Sequence, residues 1–270
     1  MPRLRLLVID PQNDFTDIPG AALPVAGANT DMLRLAAFVD HMQSSIDDLE
    51  VTLDSHSSVG IERTTFWVDA HGQAVAPFTQ VTAADVRGGR FAPRDAVRLQ
   101  EVVHYLEALE SSSARTLIVW PVHCVLGTWG HNIHEALAAS IARWEFARSR
   151  TCDKVLKGLN PMTEQYSAFR AEVPRADDAR THTNAALMAR LAAGDEVLVV
   201  AGEALSHCVA ASGQDMLAQF EPARLRNTLF LTDCMSPVAG FEPAGEKFLE
   251  QLRSHGVRTI TCAEAVEALA

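Results

Sequence analysis

Residues able to do covalent or metal chemistry recur at matching places along this chain, each just after a short apolar run. Asp10 stands in VIDPQNDF, after Leu4 to Ile9. Asp54, Ser55 and His56 follow Leu49 to Leu53, and Trp120 to His123 follow Thr116 to Val119. The segment GEALSHC, ending at Cys208, follows Glu196 to Ala201. A cysteine beside a carboxylate pairs a nucleophile with a base, the set needed to attack a carbonyl carbon and return a proton to a leaving amine. Asp54 and His56 are two residues apart, so on an extended strand end they face the same way and can share one metal ion. His123 would complete a carboxylate and two imidazoles, a donor set for Zn²⁺, Fe²⁺ or Mn²⁺ with positions left open for water or substrate.

Each residue also has an ordinary role. Cys208 can be a buried structural cysteine, Asp10 a cap on the turn into Pro11, and either histidine a packing residue. The argument lies in convergence: four separate runs carry reactive types at the same end. Cys208 falls at the start of an expected helix, where unpaired N–H groups and the helix dipole favour a thiolate. His207 is its neighbour in sequence, but consecutive helical residues point about 100° apart, so it reads as a bystander. Cys124 reads as core.

The elements that must position these residues follow from the apolar pattern. Expected strands cover Leu4 to Ile9, Leu49 to Leu53, Thr116 to Val119, Glu196 to Ala201, Asn227 to Leu231 and, more weakly, Val257 to Thr261. Helix-like stretches lie between them, at about 28–44, 93–110, 128–147, 184–193, 206–219 and 243–255. Strands apolar on both faces and separated by helices indicate a three-layer α/β/α fold, with a mainly parallel, about six-stranded Rossmann-like sheet. In such sheets ligands bind beyond the carboxyl ends of the strands. The rhythm breaks from Ser57 to about Pro93, rich in Gly, Thr, Pro and Arg with Phe66, Trp67 and Phe78 spaced through it. It reads as a long, ordered insertion, a lid or an oligomer contact, within a single domain spanning 1–270.

Bulk properties narrow the partners. A formal charge of −11 disfavours nucleic acid and anionic membranes. No stretch approaches the roughly 18 apolar residues of a membrane span, and the apolar run at the start is too short for a signal sequence. Five scattered cysteines with no C-x-x-C speak for a reducing compartment, so a cytoplasmic enzyme is the expectation.

At these residues the sequence resembles the nicotinamidase and isochorismatase-like cysteine hydrolase family, on the metal-containing nicotinamidase side. The matching pieces are VIDPQNDF, DSH at Asp54 to His56, WPVHCVLGTWG from Trp120, VLKG with Lys157, YSAF from Tyr166, and GEALSHCV around Cys208. The resemblance implies a triad of Asp10, Lys157 and Cys208, with Lys157 stabilising the thiolate. It implies a metal, zinc first and iron or manganese otherwise, on Asp54, His56 and His123. It further implies a cis Glu203–Ala204 peptide, an oxyanion hole from the amides of Ala204 and Cys208, and a ring pocket walled by Phe15, Trp120 and Tyr166. Homo-oligomers are expected on the same ground.

Departures from the family pattern are local. Leu205-Ser206-His207 replaces a small-Thr-Asp segment, altering the pocket rim. No further histidine follows the DSH pair before His71, so Glu62 becomes a candidate to join the metal or hold its water. The chain is also longer than typical relatives, mainly across 57–115. The first expectation is hydrolysis of nicotinamide to nicotinate and ammonia. Another small amide, a carbamoyl compound or a ureide, is the alternative within the same chemistry. A non-catalytic metal-binding module and a purely structural partner are the readings outside it.

Overall fold

The computed structural model describes residues 3–113 and 115–269. Its centre is a six-stranded parallel sheet: β1 (Leu4–Ile9), β2 (Ile46–Asp54), β3 (Asp153–Lys157), β4 (Val197–Gly202), β5 (Thr228–Leu231) and β6 (Arg258–Ile260), in the spatial order β6-β5-β4-β1-β2-β3. Alternation along β1 supplies both layers. Leu4, Leu6 and Val8 join one core with α1 (Ala28–His41) and with Leu137, Ile141 and Trp144 of a later helix, while Leu7 and Ile9 join the opposite core. The first face is covered by α1, Glu135–Arg148 and Cys262–Leu269. The second is covered by Ala185–Ala193, Ala210–Gln219 and Glu242–Ser254. In chain order after α1, with Leu99–Ser113 as α2, the other five covering helices are α3 (Glu135–Arg148), α4 (Ala185–Ala193), α5 (Ala210–Gln219), α6 (Glu242–Ser254) and α7 (Cys262–Leu269). No helix among the described residues is long and apolar enough to cross a membrane.

Because the chain runs from β1 outward to β2 and β3 and then crosses back to β4, connections leave β1 and β4 in opposite directions. A crevice therefore opens between their carboxyl ends.

One expected strand does not belong to this sheet. Leu117–Ile118 pairs antiparallel with Gln80–Val81 instead, and the edge position beside β2 is taken by β3, DKVLK. That edge strand has one neighbour only and is largely exposed apart from Lys157. Its alternating charge is what an edge strand carries, and it hides the strand from an apolar-run search. The helix expected from Thr128 starts at Glu135, since 129–132 is used as irregular backbone whose carbonyls accept from the side chains of Gln12 and Asn13 and from the backbone amides of Asn13 and Asp14. The stretch from Ser57 is ordered. Ile61, Phe66, Trp67, Val81, Phe91, Leu106 and Val119 pack into a third core with α2, braced by a ribbon pairing Trp67–Asp69 with Phe91–Pro93.

Candidate active site

The VIDPQNDF segment enters the crevice directly from β1, and its polar side chains fix the neighbouring loops. Gln12 accepts from the Asp54 amide (2.7 Å) and donates to the Asp54 and His131 carbonyls (2.8 and 3.0 Å). Asn13 donates to the Trp129 carbonyl (2.8 Å), and the Asp14 carboxylate accepts from the Cys124 amide (2.7 Å), next to His123. One short motif thus locks the ends of three strands or loops at once. Gly158 keeps the β3 end close. Its φ of +73° is left-handed backbone, and a Cβ there would stand 2.6 Å from His56 Cε1 and 3.0 Å from Asp54 Oδ1.

Asp10, Lys157 and Cys208 come together. Lys157 Nζ lies 2.9 Å from Asp10 Oδ2, 2.9 Å from Asp54 Oδ1 and 3.6 Å from Cys208 Sγ, and donates to the Gln165 carbonyl at 3.0 Å. The far oxygen of Asp10 accepts from the Thr52 hydroxyl (2.6 Å). Lys157 and Asp10 are essentially sealed from solvent, at 1% and 0% exposure. Burial alone would drive the ammonium to lose its proton, but the facing charges of Asp10 and Asp54 more than offset that and hold it well above its ordinary range. Burial pushes Asp10 up, with Lys157 opposing. Asp54 also feels burial, yet His56, Lys157 and His123 together hold it well below the usual carboxylate range.

Cys208 departs from the sequence expectation. It sits in a π-helical turn, Leu205–Val209, ahead of α5 rather than at a regular helix start. Burial, reinforced by Asp10 and Asp54 against the pull of Lys157, holds its sulfur well above the ordinary thiol range. The resting group is a thiol, and the dipole argument is outweighed by desolvation. Before that turn, the Glu203–Ala204 peptide is cis. The Ala204 carbonyl accepts from the amides of His207 (3.0 Å) and Val209 (3.2 Å).

Asp54, His56 and His123 also converge, their donor atoms lying within 4.8 Å of one another. His56 Nε2 is 2.7 Å and His123 Nε2 3.5 Å from Asp54 Oδ2. The opposite nitrogens face acceptors: His56 Nδ1 is 3.3 Å from Glu62 Oε1, and His123 Nδ1 is 2.8 Å from the Pro121 carbonyl. Glu62 thus holds the far nitrogen of His56, while Nδ1 of His123 meets both the Pro121 carbonyl and the Arg63 guanidinium. Burial pulls both imidazoles down to about 4, so both are uncharged at neutral pH, as ligands must be. One carboxylate oxygen and two neutral imidazole nitrogens fit a divalent metal. Glu62 is outside this donor group: it braces His56 and pairs with the fully buried Arg63 (3.0 Å), whose guanidinium lies against the His123 ring.

Between the thiol and this group lies a pocket lined by Phe15, Trp120, Tyr166, Ala204, His123 and Cys208, among others. Trp120 Nε1 donates to the Tyr166 hydroxyl (3.0 Å), fixing two walls edge to face. Two further residues belong here, one that the sequence reading set aside as a bystander and one that it did not consider. His207 forms part of the wall, packed against Trp120, Tyr166 and Phe241, and burial pulls it down to about 4. Glu164 also lines the pocket, with one carboxyl oxygen accepting from the Gln165 amide (2.8 Å) and the other buried without a partner. Burial, with the charges of Glu62 and Asp54, pushes it up to about 8, so it is protonated at neutral pH. Its place seven residues after Lys157 was the only available signal.

No sequence-family profile matches the chain. A nicotinamidase from Acinetobacter baylyi is 25% identical over 206 residues, covering 76% of this chain and 70% of that protein. The yeast nicotinamidase structure is 21% identical, with a TM-score of 0.65 over 95% of this chain and 99% of that one. The pyrazinamidase of Pyrococcus horikoshii in complex with zinc is 20% identical, with a TM-score of 0.51 over 96% and 99% of the two chains. The solved structures agree in fold. The curated relative is similar to this chain over most of its length, and the motifs from Asp10 to Cys208 stand in the order that resembles the nicotinamidase and isochorismatase-like hydrolases.

Proposed function

We propose that this chain is an amidohydrolase that cleaves the C–N bond of a small carboxamide through a Cys208 thioester, with nicotinamide its first-choice substrate. The observation that carries the reading is one ammonium, Lys157, within reach of Asp10, Asp54 and Cys208 in a sealed crevice beside an aromatic pocket. A thiol that rests protonated needs a base, and Asp10, joined to Cys208 through the shared Lys157 ammonium, is the carboxylate beside it. Asp10 takes the Sγ proton as sulfur attacks the amide carbon, and Lys157 offsets the charge that moves between them. The amides of Ala204 and Cys208 receive the developing oxyanion. The turn's closing bonds come from their neighbours, His207 and Val209. The C–N bond breaks as Asp10 returns its proton to nitrogen, ammonia leaves, and water then hydrolyses the thioester to the acid and free thiol.

Phe15, Trp120 and Tyr166 clasp the substrate ring. Asp54, His56 and His123 would hold the metal, with zinc favoured because a fold relative was solved with that ion. Bound there, the metal supplies a fixed positive charge to orient a ring nitrogen or carbonyl. Protonated Glu164 adds a hydrogen-bond donor on the pocket wall. That group also favours the second reading, a carbamoyl or ureide substrate with several acceptors.

Cys208→Ala should abolish ammonia release from nicotinamide while leaving metal content unchanged. Full activity in that variant would end the proposal. In an amide panel, no turnover of nicotinamide beside rapid turnover of a ureide would move the substrate to the second reading.

A further inference from the structure

Away from the pocket, the carboxyl ends of β5 and β6 bring another reactive set together. Leu231 pairs with Ile260, and the Thr232 amide donates to the Ile260 carbonyl (2.8 Å), so the chains are still neighbours two residues on. There Cys234 Sγ lies 3.1 Å from Cys262 Sγ. The Asp233 carboxylate is within 4.8 Å of both sulfurs and accepts from the Cys262 amide at 2.8 Å. Cys234 is buried, whereas Cys262, the first residue of α7, is partly exposed. Two thiolates on one tetrahedral zinc, with bonds of about 2.3 Å, would stand about 3.8 Å apart. These sulfurs are closer than that.

We propose that Cys234 and Cys262 form an oxidisable dithiol, a modification site that closes to a disulfide on reaction with a low-molecular-weight disulfide. Cys262 meets the oxidant first, because its partner sulfur and burial keep Cys234 protonated. The Cys262 thiolate attacks one sulfur of the oxidant, and the other leaves as a thiol with the electron pair of the broken bond. Cys234 then yields its proton, with Asp233 as the adjacent acceptor, and attacks the Cys262 sulfur, expelling the second thiol. The two cysteines lose two protons and two electrons, and the oxidant becomes two thiols.

The site's neighbours give the modification a consequence. The Cys234 carbonyl accepts from the Gly202 amide (3.0 Å), the Ser236 carbonyl from Leu205 (2.9 Å), and Ser206 Oγ from the Val238 amide (3.0 Å). The same loop therefore braces the backbone that carries Cys208, and Val238 lines the pocket. This proposal does not depend on the amidohydrolase reading.

The test exposes the full-length enzyme to excess oxidised glutathione, alkylates it in denaturant with iodoacetamide, and digests it without reductant. Mass spectrometry should find a peptide linking Cys234 to Cys262 that disappears after dithiothreitol. In Cys234→Ser, which lacks the resolving thiol, Cys262 should instead retain a glutathione adduct. Complete alkylation of both cysteines in the treated wild-type enzyme, or an unmodified Cys262 in the variant, would overturn the proposal.

Discussion

Gln12 has no reactive chemistry, yet its amide holds Asp54 by backbone on both sides. Gln12→Ala removes those bonds without touching a proposed metal ligand. It should weaken metal affinity about 10–100-fold, measured by competition with a chelating dye. Glu164 makes a different prediction, in stability. Its folded pKa, about 8, is raised above its unfolded value, so its favourable contribution is complete below about pH 4.5 and is lost as pH rises through about 8. Wild-type stability should fall across that window by up to about 1.4 kcal/mol per pH unit on this account. Glu164→Gln should remove that slope, checked by urea unfolding at several pH values. Neither role was legible in the sequence, because a glutamine clamp and a sealed carboxyl are known only from what surrounds them. Lys157 was legible through family resemblance alone: a charged residue before a glycine looks like surface until the strand under it is known. Cys208, Asp10 and the Asp54, His56 and His123 set were readable because each follows an apolar run.

At the level of elements, the strands that sequence found most firmly are the central ones, buried on both faces where Val, Ile and Leu run together, while β6 at one edge gave the weaker signal. The one it missed, β3, is an edge, and the one it misplaced, Thr116–Val119, is apolar because it lines the third core. Periodicity identifies a strand; it does not say which sheet the strand joins. The β3 end is also where backbone geometry decides chemistry. Gly158→Ala places a methyl group against His56 and strains a left-handed residue by roughly 1–2 kcal/mol. The expected result is a folded protein by circular dichroism with metal content reduced at least several-fold by elemental analysis. Gly202 is tighter still. With φ +123°, a Cβ would sit on the Ile9 carbonyl where β4 meets β1, so Gly202→Ala should cost about 3 kcal/mol or more in unfolding experiments.

For the whole molecule, a metal bound only by the folded chain stabilises it by mass action. Chelator treatment should lower the melting temperature along with ammonia release, and restoring zinc should recover both. A loss of activity with no shift in melting would mean that the ion is not held by these buried donors. The third core has its own bearing on the pocket. The Tyr105 hydroxyl on α2 is hydrogen-bonded to the Glu164 amide (3.0 Å), and the Trp120 amide donates to the Glu62 carbonyl (2.7 Å). Two pocket walls are therefore hung from a body of side chains that shares nothing with the Cys208 turn. In an evolving lineage that separation matters: on the proposed function, mutations across 61–109 can drift the preferred amide while the proposed nucleophile stays under unchanged selection. A library confined to those positions should yield variants with altered amide ranking whose Cys208 still forms a thioester at the parental rate on their new best substrate.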